Sequence, residues 1–210
     1  MAYNNLGRPQ RITPIVLNLI IINVLVFIIQ SMFDGKPSDN ILDLKITREL
    51  ALYPYHTIFF KPYQLVTHMF AHGSIFHILL NMYALWMIGT VLERVWGPKR
   101  FLIFYLVCGL AAGVAQMFLS NGPAIGASGA IMGLLGGFGY LFPNTQFFII
   151  PFPFPIKAKY LVMIVAALDL YSEFTSGEGD NIAHFAHLGG LVMGLLLVII
   201  WNKTNKKTFY

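Results

Sequence analysis

Three short groups of polar residues interrupt the long apolar stretches of this 210-residue chain. His77 and Asn81 lie four positions apart, Ser128 lies between Gly126 and Gly129, and His187 stands near the start of the last apolar stretch. A serine hydroxyl becomes a nucleophile when a neighbouring base takes its proton, and histidine is the usual base. We predict that Ser128 is the nucleophile and His187 its general base. His77, Asn81 and the Ser128 backbone N–H would donate to the oxyanion of the tetrahedral intermediate.

Glycines accompany the two reacting groups. They are Gly126, Gly129, Gly190 and Gly194. The first pair would let the backbone approach a substrate closely, because glycine has no Cβ. The second pair shares one helical face and would pack against the thin helix that follows Ser128. That packing would bring His187 toward Ser128.

The composition shows which elements must position these groups. Hydrophobic residues make up 57% of the chain and charged residues 11%, with a mean hydropathy of +0.67, far from the soluble average. Stretches near 20 residues are long enough to cross a bilayer, although the fourth and fifth are short for a free-standing span. The predicted segments are Pro14–Met32, His77–Val95, Phe101–Leu119, Ser128–Leu141, Tyr160–Tyr171 and Ala183–Trp201. The proline-rich residues Leu141–Ile156 are predicted to be a loop.

Basic residues indicate how the segments are oriented. Most of the 14 Lys and Arg residues fall in the two tails and in the connections after the second and fourth segments. By the positive-inside rule both termini are cytoplasmic, and the long first connection, residues 33–76, is external. That connection either folds against the membrane surface or forms a small external subdomain. The second, fourth and sixth segments then begin at the external side, which brings the three polar groups to one depth.

The predicted fold is therefore an all-α integral membrane protein, a six-transmembrane-helix bundle. It forms a single domain over residues 1–210, with short cytoplasmic tails at 1–13 and 202–210. The net charge of +5 is scattered rather than clustered, which argues against nucleic-acid binding. The single cysteine, Cys108, excludes an intrachain disulfide. No cofactor is predicted.

Neither of two membrane-segment carboxylates is an obvious third member of a catalytic triad. Asp169 is placed near the external end of the fifth segment, on a different helix from His187. Glu93 lies at the cytoplasmic end of the second segment, where charge pairing at a helix end beside Arg94 is the simplest role. A Ser–His dyad is what remains.

The motif Gly126-Ala127-Ser128-Gly129 resembles the serine motif of the rhomboid family of intramembrane proteases. The pair His77 and Asn81 resembles that family's second-helix motif, and His187 with its following glycines resembles the sixth-helix motif. The resemblance covers residues 61–201. It implies a serine protease that cuts transmembrane substrates near their external boundary, using Ser128 and His187, with His77 and Asn81 lining the oxyanion hole.

The resemblance carries further expectations. The first loop would lie partly embedded in the bilayer, and the fifth helix with residues 172–182 would gate lateral substrate entry. Met132 stands where many members have a tyrosine stacked on the catalytic histidine, and Tyr63-Gln64 stands where many have Trp-Arg. A chain with short tails and no transit peptide resembles a plasma-membrane enzyme of a prokaryote. Its partners would be transmembrane substrates and the lipid bilayer.

Two alternatives stay open. Some rhomboid-like relatives bind membrane clients without cutting them, and Met132 leaves room for that reading. A metal or proton transporter is the other alternative, because His68 with His72 and His184 with His187 have spacings compatible with metal binding. Against transport, cysteine and carboxylate ligands are missing beside these histidines in the sequence, and the polar groups occupy only one side. We predict no metal site.

Overall fold

The structure is a computed structural model that describes residues 12–35, 40–148, 154–175 and 183–204. The tail residues 1–11 and 205–210 lie outside the described residues. So does 176–182, which is most of the predicted gating connection.

Helices dominate the described residues, and each of the six predicted apolar segments falls largely within helix. The helices are α1 (Pro14–Phe33), α2 (Lys45–Leu50), α3 (Gln64–Thr67), α4 (Ile75–Ala84), α5 (Thr90–Trp96), α6 (Pro98–Leu119), α7 (Ser128–Leu141), α8 (Ala158–Thr175) and α9 (His184–Thr204). A π-helical turn, Leu85–Gly89, joins α4 to α5, so Ile75–Trp96 is one continuous rod. Two short 3₁₀ helices cover Ile41–Asp43 and His68–Phe70.

The proline-rich connection predicted as a loop contains two short strands. β1 (Gln146–Phe147) pairs antiparallel with β2 (Ile156–Lys157). The pairing brings the ends of α7 and α8 together, since the N–H of Ala158 donates to the carbonyl of Thr145 at 2.8 Å.

Four of the described helices are long and apolar enough to cross a membrane. They are Pro14–Phe33, Ile75–Trp96, Pro98–Leu119 and His184–Thr204, and Ser128–Leu141 is a shorter apolar helix. Large apolar side chains face outward on these helices: Leu25 on α1 is 53% exposed and Leu80 on α4 is 68% exposed. Such a surface is stable in hydrocarbon and unfavourable in water. The chain is an integral membrane protein, and in its described part the β1–β2 ribbon is a small addition to a helical architecture.

α7 lies at the centre of the bundle, and its glycines allow neighbouring helices to approach closely. A Cβ on Gly133 would lie 2.5 Å from the sulfur of Cys108 on α6 and 3.0 Å from the carbonyl oxygen of Gly190 on α9. A Cβ on Gly137 would lie 3.0 Å from the ring of Phe104. Contacts this close require small residues, so the glycines of α7 determine the separation of α6 and α9 from it.

Glu93 has a role that the sequence did not reveal. Its side chain is buried, and its two carboxylate oxygens accept hydrogen bonds from the backbone N–H groups of Ile15 at 3.0 Å and Val16 at 2.9 Å. These N–H groups belong to the first turn of α1 and have no intrahelical acceptor. Glu93 therefore caps α1 and ties it to α5.

The long first connection is folded and packs on the helices. Leu52 pairs with Ala124 through two backbone hydrogen bonds of 2.9 and 2.8 Å. The side chain of Met69 fills the notch at Gly109 on α6, and His72 donates its N–H to Gln30 of α1 at 3.0 Å. This connection thereby fixes the turn that precedes α7.

Candidate active site

The turn before α7 places Ser128 at a helix start. The N–H of Gly126 donates to the carbonyl of His68 at 2.8 Å, which anchors the turn to the first connection. Gly126 has a φ of +122°, a backbone conformation that L side chains rarely adopt. Because α7 begins at Ser128, the N–H groups of its first turn have no intrahelical carbonyl acceptors. They offer donors and a partial positive charge beside the serine hydroxyl.

α9 brings His187 to this serine. The Nε2 atom of His187 lies 2.8 Å from the Oγ atom of Ser128, a hydrogen-bonding distance. The approach depends on glycine, because a Cβ on Gly190 would collide with the carbonyl oxygen of Gly129. One turn further, a Cβ on Gly194 would collide with the carbonyl oxygen of Gly133. The structure thus places the two backbones in direct contact beside the proposed reacting groups.

His77 reaches the same place from α4. A Cβ built on Gly126 would lie 2.7 Å from His77 Nε2 and 3.6 Å from Ser128 Oγ, so both atoms border the space above that glycine. The other ring nitrogen, Nδ1, is 3.4 Å from the backbone N–H of Gly73, which orients the ring. The ring also meets His72 edge-on at a centroid distance of 4.9 Å. His77 therefore has Nε2 available near the serine.

Asn81 is positioned differently from the other predicted residues. It is buried, and its side-chain amide donates to the backbone carbonyl of His77, one turn earlier on α4, at 2.9 Å. The second hydrogen of the amide is still available for another acceptor. The described contacts make Asn81 a support for the turn that carries His77.

Asp169 is the residue that sequence reasoning missed. Its Oδ1 atom on α8 lies 3.1 Å from Nδ1 of His187 and 2.7 Å from Nδ1 of His184. Its position near the external end of the fifth segment does not predict this contact, because helix periodicity does not tell which helices face each other. A signal was present in the sequence, since a carboxylate within an apolar helix is costly unless it has a partner.

The Asp169, His184 and His187 cluster has the side chains of a metal site but not its spacing. Their donor atoms all lie within 4.8 Å of one another. Ligands of a tetrahedral zinc with bonds of ~2.0–2.1 Å stand roughly 3.3 Å apart. The 2.7 and 3.1 Å separations are those of hydrogen bonds instead. The distances within the cluster therefore fit hydrogen bonds better than the coordination of a metal ion.

The histidines of the other proposed transport pair are used structurally. His68 is buried, its Nδ1 lies 2.8 Å from the carbonyl of Gln64, and burial lowers its pKa to about 4. Burial likewise lowers the pKa of His72 to about 4, with a further contribution from the neighbouring His77. Both rings are thus neutral at physiological pH.

A cavity of about 720 Å³ opens beside His77. Its walls come from the first connection and from residues 116–125, including Tyr53, Phe59, Ser74 and Gln116. The described residues that line it include no Asp, Glu, Lys or Arg, and they comprise both polar and apolar side chains. Of the predicted site residues, His77 lines this cavity, whereas Ser128 and His187 are not among its lining residues.

Comparison with known proteins gives the family. The fold and surface define a helical integral membrane protein, and residues 60–203 match the family model described as the rhomboid domain. The chain therefore belongs to the rhomboid family, which confirms the resemblance predicted from the motifs.

Three relatives illustrate the match. The rhomboid protease GluP of Bacillus subtilis is 35% identical over 133 residues, which cover 63% of this chain and 24% of the relative. Rhomboid protein 1, mitochondrial, of Saccharomyces cerevisiae is 33% identical, with 60% of this chain and 38% of the relative covered. The human presenilin-associated rhomboid-like protein, mitochondrial, is 31% identical over 95% of this chain and 52% of its own length. The chain spans from about a quarter to half of the length of these relatives.

Proposed function

We propose that this chain is an intramembrane serine endopeptidase that hydrolyses peptide bonds in or near the transmembrane segments of membrane-protein substrates. One observation carries the proposal: His187 Nε2 lies 2.8 Å from Ser128 Oγ at the first residue of α7. A general base within hydrogen-bond reach of a serine at a helix start is the arrangement that nucleophilic catalysis requires. The family supports the same reading, since it includes the protease GluP.

In the first half of the reaction, Ser128 Oγ attacks the scissile carbonyl carbon while His187 Nε2 takes the hydroxyl proton. The C–N bond then breaks, His187 returns the proton to the leaving amine, and an acyl-enzyme ester forms on Ser128. In the second half, His187 takes a proton from water and the resulting hydroxide attacks the ester carbon. The bond from that carbon to Ser128 Oγ then breaks, and His187 returns the proton to Ser128 Oγ.

The oxyanion of each tetrahedral intermediate needs donors. The first N–H groups of α7 supply backbone donors, and Nε2 of His77 borders the same space above Gly126. Asn81 contributes through the second hydrogen of its amide or by holding His77 in place, since its first hydrogen is bound to the His77 carbonyl. Gly126 keeps the space open, because any side chain there would occupy it.

The proposed topology has six spans, both termini in the cytoplasm and the active site opening to the external side of a plasma membrane. Four long apolar helices and the distribution of basic residues support it. α7 and α8 would span as inner and flanking helices of the bundle. The single domain over residues 1–210 and the gating role of residues 172–182 belong to the same proposal.

The test is cleavage in liposomes of a single-span reporter that carries small and helix-breaking residues at its external boundary. Ser128→Ala and His187→Ala should each abolish turnover, because one removes the nucleophile and the other the base. Two substitutions serve as matched controls, Ser31→Ala and His56→Ala. The Ser31 hydroxyl donates to the backbone carbonyl of Phe27 on the same helix, and the His56 side chain is exposed. Both controls should cleave at the wild-type rate.

A fluorophosphonate probe gives a second readout that does not require the right substrate. Labelling of wild type and not of Ser128→Ala would support the protease. Folded wild-type protein that neither cleaves nor labels would refute it and would favour a client-binding protein. Met132 is the feature that motivates this alternative, since many members have a histidine-stacking tyrosine at the matching position.

A further inference from the structure

Asp169 is a buried carboxylate beside the proposed general base, on the side of the His187 ring away from Ser128. One of its oxygens, Oδ1, is close to two imidazoles at once: Nδ1 of His184 at 2.7 Å and Nδ1 of His187 at 3.1 Å. The two histidines are one helical turn apart on α9, so both rings point toward α8. From this geometry we propose that Asp169 is a positioning residue that keeps His187 in the Nδ1–H tautomer, and that His184 holds the Asp169 carboxylate in place. This inference rests on the proposed protease function.

The tautomer follows from the donors and acceptors available. An ionised carboxylate can only accept hydrogen bonds, so each nitrogen that contacts it must carry the hydrogen. With Nδ1 protonated, a neutral His187 has a lone pair on Nε2, 2.8 Å from Ser128 Oγ. In the opposite tautomer the Nδ1 lone pair would face the carboxylate, and Nε2 would donate to the serine instead of accepting its proton. Only the first tautomer can act as a base.

His184 explains how a carboxylate is retained at this depth. Asp169 and His184 are 8% and 5% exposed, and a buried carboxylate with one partner is poorly compensated. The shorter hydrogen bond is the one to His184, which does not contact Ser128 among the described bonds. His184 thus fixes the position of Oδ1, and Oδ1 fixes the ring of His187. When His187 takes the proton of Ser128, the same carboxylate stabilises the imidazolium.

The first measurement is independent of activity. Protein labelled with ¹⁵N-histidine in detergent micelles reports by NMR which ring nitrogen of His187 bears hydrogen, with His187→Ala identifying the signal. We expect the Nδ1–H tautomer in wild type and in Asp169→Glu, which keeps a carboxylate. Asp169→Asn should lose the preference, because an amide can either donate or accept. Wild-type protein with hydrogen on Nε2 of a neutral His187 would overturn the proposal, whether or not any variant folds.

The second measurement uses the liposome cleavage assay. Asp169→Asn should lower kcat by about 10²–10⁴-fold, the range that general acid–base catalysis supplies, and leave KM close to wild type. Asp169→Glu should recover part of that loss, and His184→Gln should cause a smaller loss than Asp169→Asn. The matched control is Glu49→Gln, which removes an exposed carboxylate that pairs with Lys61 in the first connection and should leave kcat unchanged.

The outcomes separate this proposal from the protease itself. Wild-type kcat in Asp169→Asn, together with loss of cleavage in Ser128→Ala, would refute the positioning role and leave the protease intact. A rise in KM with unchanged kcat would assign Asp169 to substrate binding and would also refute the proposal. If wild type cleaves nothing, the protease fails, and the NMR measurement still decides how His187 is held.

Discussion

Replacing Gly126 with alanine tests the proposed oxyanion site at the point where its parts meet. A Cβ at this position would lie 2.7 Å from His77 Nε2, 2.9 Å from His77 Cε1 and 3.6 Å from Ser128 Oγ. Ordinary carbon contacts begin near ~3.5 Å, so the imidazole of His77 has to retreat by roughly 0.6–0.8 Å. The distance to the serine oxygen is already acceptable, which makes His77 the group that moves.

Two effects follow from this substitution. The φ of +122° at Gly126 is unfavourable for alanine and should lower the free energy of unfolding by about 1–3 kcal/mol. The displaced ring should cost catalysis, because loss of one oxyanion donor typically lowers the rate ~10²–10³-fold. We therefore expect a folded enzyme with a lower melting temperature and a kcat reduced by about two to three orders of magnitude.

The assay is reporter cleavage in liposomes alongside thermal unfolding in detergent. The matched control is Gly97→Ala between α5 and α6, where φ is also positive (+77°) and no described atom lies within 4 Å of an added Cβ. It keeps the backbone strain and should not affect the rate. A double-mutant cycle isolates the cause: in a His77→Ala background, Gly126→Ala should have little further effect on kcat. If the two losses multiply instead, or if Gly126→Ala retains the wild-type rate, His77 is not the group through which Gly126 acts.

Two further predictions concern stability. Glu93→Gln removes the charge and one of the two oxygen acceptors for the N–H groups of Ile15 and Val16. We therefore expect the free energy of unfolding to fall by about 1–2 kcal/mol. An unchanged denaturant midpoint in detergent would contradict the capping role. Burial lowers the pKa of His68 from its usual 6.5 to about 4, so the unfolded chain binds a proton between these values that the folded chain excludes. Stability should therefore fall as pH drops from about 6.5 to 4, by at most roughly 3 kcal/mol from this residue, and His68→Gln should flatten that slope whereas the exposed His56→Gln should not.

The sequence was sufficient for the parts of the site that depend on local pattern. Length and hydropathy located the apolar helices, and the glycine before Ser128 marked the start of α7. Alternating helix direction predicts one depth in the membrane for His77, Ser128 and His187. The structure then brings His187 to 2.8 Å from Ser128 and His77 to the space above Gly126. A common depth could be predicted because it depends only on the proposed direction of each helix.

The sequence was not sufficient where helix rotation decides the contact. The residue patterns around Asp169 and Glu93 do not tell which neighbouring helix each carboxylate faces. Their partners, His187 and the first turn of α1, are distant in sequence and belong to other helices. The internal order of the first connection was missed for a related reason, since the pairing of Leu52 with Ala124 leaves no periodic signal.

The distribution of buried ionisable side chains bears on the choice between proteolysis and transport. Among the described residues, Asp169, His184 and His187 form one cluster with the start of α7, whereas the buried carboxylate of Glu93 serves the first turn of α1. A transport path needs exchangeable sites in sequence along its length. Here the described hydrogen bonds of Asp169 and Glu93 all go to groups fixed in the fold. The N–O separations around Asp169 are those of hydrogen bonds rather than of two ligands of one cation. A closed set of positioned donors and acceptors around one serine is what a hydrolytic site needs, because preorganised groups avoid rearrangement during the reaction.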